Sequence, residues 1–518
     1  MLFIPKNFTF LYGHADDETV SLSTLLCDQE QDFRNNRAVV THNACEQLLG
    51  KTLKIYEVPT VALCFSGGGY RAMIETLGAL AGADEIGLLD AVMYTGGLSG
   101  STWALTPWVF SGLSIGDYLN HISSNLNSFL SLNLSQILAI NALKNKKLNE
   151  GKGFGLVDLY GALLAKNLLN GLATTPQAVT FTDLVKNLNG TAHPLPICTA
   201  VAGGVGNHGL WYECTPFTVG CTQTGFVPTC ALGRTFENGV SVKPASGQYP
   251  SQLSLGDFMS MWGSAFAVDK ERLEHEFGKM DVADSVSVLA QLGLARYGLD
   301  GFGGDRLFHP GNITWALQKL WPDQNKNFAA ATVPNFTHNM QRDGLWNWFT
   351  GNQQIPLSGE QDLALIDGGY DLIDGHAMNL AIVPLLRPER KVDVIIVIDS
   401  SANLIDALSL RAAEKRAKAL GLKFPVIDYT EIGTRSISVF KSDDRGVPTV
   451  IYMPCIKNEA YSDFDPQTSE YTGTADFYYT PEQVTELSGL TKFTMQQSKN
   501  VIVDALQHAV SKKQSWLF

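Results

Sequence analysis

Short apolar runs that end in small-residue turns set the rhythm of this chain. Val61-Ala62-Leu63-Cys64-Phe65 carries no polar side chain and gives way to Ser66-Gly67-Gly68-Gly69, after which apolar residues recur at helical spacing. Ala91-Val92-Met93-Tyr94 repeats the arrangement and leads into Gly97-Leu98-Ser99-Gly100-Ser101. A continuous apolar run of that length, bounded by turn residues, reads as a strand buried on both faces. The pattern over 56–110 therefore predicts two strand–turn–helix units. Residues 115–190 read as several helices, with Gly155 to Leu164 at helical apolar spacing. From about 195 to 250 the pattern turns to short strands and loops, and 252–300 is helical again. Residues 300–360 are irregular and rich in glycine, asparagine and aromatic residues. Between 362 and 460, strands are predicted at Ala364-Leu365-Ile366, Val392 to Asp399, Pro425-Val426-Ile427 and Thr449 to Met453, with a helix around Ala402 to Leu420. That alternation predicts an α/β fold with a mostly parallel central sheet covered by helices.

Composition narrows the function. A chain of 518 residues, 45% of them hydrophobic, has ample material for a large core. The net charge of −13 argues against nucleic acid, whose binding needs a basic patch, and against simple electrostatic capture by an anionic membrane. No apolar run approaches the roughly 18 residues of a membrane span, and the first residues do not read as a signal peptide. The eight cysteines show no CxxC spacing, so a zinc site is not expected and reduced thiols are. Asp16-Asp17-Glu18 reads as a solvated acidic cluster rather than a cation site.

The two turns carry the chemistry. A serine at a sharp strand-to-helix turn has its hydroxyl thrust out of the backbone, which makes Ser99 the candidate nucleophile. A glycine-rich turn that opens a helix presents free N–H groups, which suits the oxyanion that a nucleophile creates. The first turn lacks the Lys-Ser/Thr of a nucleotide-binding loop. The second is not the usual Gly-x-Ser-x-Gly elbow, because Ser101 stands where the last glycine would be.

Ser66-Gly67-Gly68-Gly69-Tyr70-Arg71-Ala72-Met73 and Gly97-Leu98-Ser99-Gly100-Ser101-Thr102-Trp103 together resemble the catalytic domain of cytosolic phospholipase A2 and the fungal lysophospholipases (phospholipase B), a relative of patatin. Four later blocks are similar to family blocks in the same order: Trp211 to Phe217, Met261 to Phe266, Leu386 to Asp393 and Lys423 to Asp428. The resemblance implies a patatin-like variant of the α/β hydrolase fold with a lid or cap insertion. It divides the chain into an N-terminal segment (1–55), one catalytic domain (56–470) with cap or lid insertions at about 115–190 and 300–360, and a C-terminal helical tail (471–518). It implies a serine acyl hydrolase that releases fatty acids from phospholipids or lysophospholipids at a membrane or micelle surface, without metal or cofactor. A cytoplasmic enzyme, peripheral at membranes, is expected; export without an N-terminal signal stays open, as does an activating protein partner.

The resemblance also implies roles. Ser99 and an aspartate form a Ser–Asp dyad, Gly68 and Gly69 donate to the oxyanion, and Arg71 holds the lipid phosphate. Leu365-Ile366-Asp367-Gly368-Gly369 has the expected strand-end form, so Asp367 is the preferred base. A second copy, Leu372-Ile373-Asp374-Gly375-His376, has the better spacing to the Pro384-Leu385-Leu386-Arg387-Pro388 block, and Asp371 is a weaker third. His376 leaves open a Ser-His-Asp esterase acting on non-phosphate esters. A silent lipid-binding protein is the reading from outside enzymology. Asn379 matches a family asparagine with a structural role. Trp346-Asn347-Trp348-Phe349 would suit a lid that meets lipid, or core packing.

Overall fold

The computed structural model describes residues 17–126, 134–154, 156–189, 192–202, 209–264, 331–341, 355–402, 404–474 and 476–515. The chain opens with helix α1 (Asp28–Leu49) and reaches the first strand of the sheet, β1 (Val61–Phe65). Helix α2 (Gly69–Glu85) follows, then β2 (Val92–Leu98) and α3 (Gly100–Ser111). Helices α4 (Ile115–Ser123), α5 (Leu134–Asn149), α6 (Leu156–Leu168) and α7 (Val185–Leu188) precede β3 (Leu195–Ala202). An antiparallel meander comes next: β4 (Leu210–Cys214), β5 (Thr218–Cys221) and β6 (Gly225–Pro228). The small hairpin β7 (Phe236–Glu237) and β8 (Val240–Ser241) leads to α8 (Leu255–Trp262). Strands β9 (Ala331–Pro334) and β10 (Asp362–Asp367), the hairpin β11 (Leu372–Ile373) and β12 (His376–Ala377), then β13 (Val394–Asp399), β14 (Ser438–Phe440) and β15 (Thr449–Pro454) complete the strands described.

Among the described residues the sheet has eleven strands, with the path β14-β15-β13-β1-β2-β3-β4-β5-β6 and β10 and β9 branching from β3. β15, β13, β1, β2 and β3 are parallel, and the remaining strands pair antiparallel at the edges. The parallel strands are those with unbroken apolar runs, because helices on both faces leave no wet side for a polar residue. Val61 to Phe65 and Val394 to Asp399 are buried throughout. α1 and the last helix, Lys499–Ser515, pack on β2, β13 and β15, while α3 and α8 pack on β2, β3 and β10. α2 lies between α3 and the helix Pro481–Gln497.

One expectation is corrected. Pro425-Val426-Ile427 forms no strand, and Val426 is 89% exposed. α1 buries Glu30, Phe33 and Arg37, and the Arg37 guanidinium donates to the carbonyls of Val92 (2.8 Å) and Leu89 (3.2 Å). The C-terminal tail is docked, with Lys512 donating to the Ser442 and Val447 carbonyls and Lys513 paired with Asp393. Trp516 to Phe518 and the aromatic run from Trp346 lie outside the described residues. All eight cysteines are free thiols.

Candidate active site

Strand β3 brings Ser99 and Asp367 together. Its first half pairs with β2, ending at Leu98 opposite Thr199. β2 stops there, and antiparallel β10 takes the vacant side of β3, with Asp367 opposite Ala200. The residue before Ser99 and the carboxylate thus face successive positions of one strand, which rises about 3.3 Å per residue. Two segments far apart in sequence share one edge of β3.

Ser99 sits at the tip of the turn with φ 52° and ψ −125°, a left-handed conformation unusual for a side-chain-bearing residue. The neighbours hold it there. The Ser101 hydroxyl accepts from the Leu98 N–H and donates to the Leu98 carbonyl, both at 2.8 Å, and the Thr102 hydroxyl donates to the Ser99 carbonyl at 2.6 Å. Ser101 therefore locks the elbow by hydrogen bonds where the commoner motif has glycine. A Cβ at Gly100 would fall 1.9 Å from the Gly69 carbonyl oxygen, so the two turns pack backbone to backbone.

Asp367 is 3% exposed. Burial pushes its carboxyl up to about 6, while hydrogen bonds from Ser99 and from the Gly369 N–H pull in the opposite direction. The Gly369 contact is 2.9 Å. The other aspartates are elsewhere. Asp374 lies at the tip of the β11–β12 hairpin, where Asp374 and Gly375 both have positive φ, as a type I′ turn requires. Its side chain is 69% exposed and paired with Lys415. Asp371 is buried in structural bonds: it accepts from the Gly209 N–H (3.1 Å) and the Trp211 indole (2.6 Å) and pairs with Arg416. His376 is exposed on the same hairpin as Asp374.

The glycine turn sits across from the elbow. Gly68 has φ 143° and caps α2, and Gly69, at φ 62°, begins it. The first N–H groups of the helix have no intrahelical acceptor and point out of its N-terminus. Gly67 is held from both sides by Asn379, whose amide oxygen accepts from the Gly67 N–H (3.2 Å) and whose amide nitrogen donates to the Gly67 carbonyl (3.1 Å). Asn379 also donates to the Ser401 hydroxyl at 2.8 Å. The Ser400 N–H donates to the Ser66 hydroxyl at 2.6 Å.

Arg71 is 6% exposed. Its two terminal nitrogens donate to the Ser400 carbonyl (2.7 Å) and the Thr472 carbonyl (2.8 Å). A Cβ at Gly68 would meet one of them at 2.9 Å, so the guanidinium lies against the candidate oxyanion turn.

Sequence reading gave no role to the segment 472–479. Its Thr474 carbonyl presses on Gly69, at 2.2 Å from where a Cβ would be. Its Phe477 stands edge-on to Tyr70 (5.1 Å) and beside Trp103 (6.2 Å) and Tyr160 (6.1 Å). Tyr70, Trp103 and Tyr160 are buried, and the Asp367 charge is felt at Tyr160. No pattern around Gly473 announces the segment's contacts with Arg71 and Gly69, because they are made by backbone carbonyls that any residue supplies. Among the described residues no group of acidic, histidine or cysteine side chains is arranged to hold a metal ion.

Residues 61–268 match the family model of the lysophospholipase catalytic domain. Curated relatives include the cytosolic phospholipase A2 zeta of Mus musculus, 26% identical over 96% of this chain and 63% of its own length. The Homo sapiens protein of the same name is also 26% identical, over 97% of this chain and 63% of its own. The chain thus spans less than two thirds of the curated relatives it matches. Among solved structures, human GIVD cytosolic phospholipase A2 superimposes with a TM-score of 0.73 at 21% identity, over 95% of this chain and 66% of that one. The same protein in complex with methyl gamma-linolenyl fluorophosphonate superimposes at 0.69 and 20% identity. The likeness read from the motifs therefore extends across nearly the whole chain, and the fold is the α/β fold of that catalytic domain.

Proposed function

We propose that this protein hydrolyses acyl esters of glycerophospholipids or lysophospholipids through a Ser99–Asp367 dyad. What carries this reading is the placement of Ser99 and the buried Asp367 carboxyl at the junction of β2, β10 and β3, where the Ser99 side chain favours the ionised carboxylate. The match to a lysophospholipase domain supports the reaction class. Asp367 takes the Ser99 proton as the oxygen attacks the ester carbonyl, and a carboxyl raised by burial is the better base for that step. The N–H groups of Gly68 and Gly69 receive the negative charge on the carbonyl oxygen. The proton passes to the departing alcohol, leaving an acyl-serine. Water, or another acceptor alcohol, then releases the acyl group by the same steps. Arg71, against the Gly68 backbone, supplies the positive charge for the phosphate of the lipid. The enzyme works at a membrane or micelle surface, where such lipids are found, and associates with it peripherally.

Fatty-acid release from phospholipid and lysophospholipid micelles, with a chelator present, tests the reading. Wild type is expected to be active, and Ser99→Ala and Asp367→Asn are expected to lose at least about 1,000-fold in kcat. Asp374→Asn, at an exposed hairpin tip, is expected to stay within a factor of about 2 of wild type. An inactive Asp374→Asn beside an active Asp367→Asn would overturn the dyad. Lipid binding without release by wild type would favour a silent lipid-binding protein.

A further inference from the structure

One helical turn after Arg71 on α2 lies a buried carboxylate that the proposed chemistry does not use. Glu75 follows Arg71 by one turn of α2, so the two side chains lie on the same face. Glu75 is fully buried. Among the described residues, neither of its oxygens has a partner at hydrogen-bonding geometry; the same holds for the Arg71 Nε and the Tyr479 hydroxyl. A charged carboxylate in that state is costly unless a cation compensates it or a proton neutralises it. The structure offers both routes, since Arg71 is the cation at hand.

We propose that Glu75 is the proton-controlled counter-ion of Arg71, and that its protonation state sets how strongly the site holds a phosphate-bearing lipid. The inference rests on the reading of Arg71 as the phosphate-binding residue. With Glu75 ionised, the guanidinium charge is largely offset before substrate arrives. With Glu75 protonated, the full positive charge stands beside Gly68, and an anionic phosphate is held more tightly. Glu75 touches no reacting atom; it is a positioning residue that acts through Arg71.

The surroundings fit a group poised between two states. From α2 itself Arg71 favours the charged form. From the end of β13, Asp399 opposes it as a like charge and Ser400 lends partial support, as does Cys455 after β15. Asp399 is itself occupied, accepting from the Tyr452 hydroxyl (2.9 Å) and the Ser401 N–H (3.0 Å). Tyr479, from the segment ahead of the helix Pro481–Gln497, lies within electrostatic range of both Arg71 and Glu75. That helix turns Ser488 and Thr491, which do not ionise, toward α2. Burial is the largest influence on the Glu75 carboxyl, and with Arg71 pulling against it the group is pushed up to about 7.

The test is the ratio of kcat/KM for a phospholipid to that for a neutral ester of the same fatty acid, between pH 6 and 8. Taking a ratio removes the titration of Asp367, which both substrates share. In wild type the ratio is expected to fall about tenfold as pH rises, the order of effect of one nearby charge in a partly screened site. In Glu75→Gln it is expected to stay flat at the low-pH value, with Glu75→Met as a second substitution should the first not fold. A flat wild-type ratio, or the same slope in both proteins, overturns the proposal while leaving hydrolysis intact. A readout on wild type alone is inhibition of neutral-ester turnover by a non-hydrolysable diether phospholipid, which should weaken about tenfold over the same pH range; pH-independent inhibition overturns the proposal. Failure to turn over phospholipid at all overturns the reading of the function and this inference with it.

Discussion

At the scale of single residues, the candidate site is defined by conformation as much as by chemistry. Ser99 is held at φ 52° by the hydroxyls of Ser101 and Thr102, and Asp367 is held dry. The dry carboxyl has two consequences. In the proposed mechanism the base must be ionised to act, and with Asp367 near 6 the kcat/KM of wild type should rise with pH through about 6. A pH–rate profile on a neutral ester checks this; an acid limb near 4 would mean that burial does not raise the base. The same shift weakens the fold. A carboxyl raised above its unfolded value stabilises the native state most while protonated, below the unfolded value of 3.8, and that stability is lost as pH rises through about 6. Asp367→Asn removes the penalty, so at pH 8 it should be more stable than wild type, by on the order of 2–3 kcal/mol, while inactive. Denaturant unfolding at pH 5 and pH 8 measures the difference; equal stability at pH 8 would count against it. At this scale the sequence was informative for Ser99, Gly68 and Gly69, which sit in contiguous motifs. It was ambiguous for Asp367 and Asp374, because two Leu-Ile-Asp-Gly runs look alike until one ends a strand against β3 and the other turns a hairpin.

At the scale of elements, close backbone approach explains glycines that the motifs leave unexplained. α2 carries Gly78 and Gly82 one turn apart on the face toward the helix Pro481–Gln497. A Cβ at Gly78 would lie 2.1 Å from the Ser488 carbonyl oxygen and 2.3 Å from the Thr491 hydroxyl. Neither partner is the free end of a flexible side chain, so the helices must separate. Gly78→Ala is expected to cost about 1–3 kcal/mol, against the gain in helix propensity that alanine would otherwise bring. A lower thermal midpoint measures this, and an unchanged or higher one would refute it. Thr472 and Thr474, ahead of the same helix, contact Arg71 and Gly69, so loosening the helix pair should reach the candidate oxyanion turn. The strand–turn–helix units and the parallel strands were legible because apolar runs bounded by turns carry their own signal. α1 was not, since most of its surface is polar and its docking rests on a few buried charged residues.

At the scale of the whole molecule, the segments Trp211 to Phe217 and Leu386 to Asp393 help to hold the fold. Arg390 is fully buried and bonds both Glu30 of α1 and Glu213 of β4, while Arg387 pairs with Glu213 and donates to the Thr24 carbonyl. The network ties the N-terminal helix, the antiparallel edge and the loop before β13 into one body. Both arginines hold the Glu213 carboxyl below its ordinary value against the opposing effect of burial. Its stabilising contribution is therefore present above the unfolded value of 4.5 and is lost as pH falls through the lower, folded one. Arg390→Ala takes from buried Glu30 its arginine and leaves Glu213 with Arg387 alone, and should cost about 3–5 kcal/mol. Thermal unfolding at pH 7 tests this, and a loss under about 1 kcal/mol would show the network to be dispensable.

The sequence by itself determined the local pieces: buried strands from unbroken apolar runs, a tight strand-to-helix turn from small residues around Ser99, and a helix-opening glycine turn beside Arg71. Each is written in a few adjacent residues, so no distant contact is needed to read it. The tertiary structure alone decided which aspartate meets the serine, because that depends on where β2 ends along β3 and which strand fills the gap. It also decided that Arg71 is wedged between the Ser400 and Thr472 carbonyls with Glu75 buried behind it. Those contacts join residues hundreds of positions apart, some through backbone atoms that every residue shares, and such contacts leave no mark in the order of side chains.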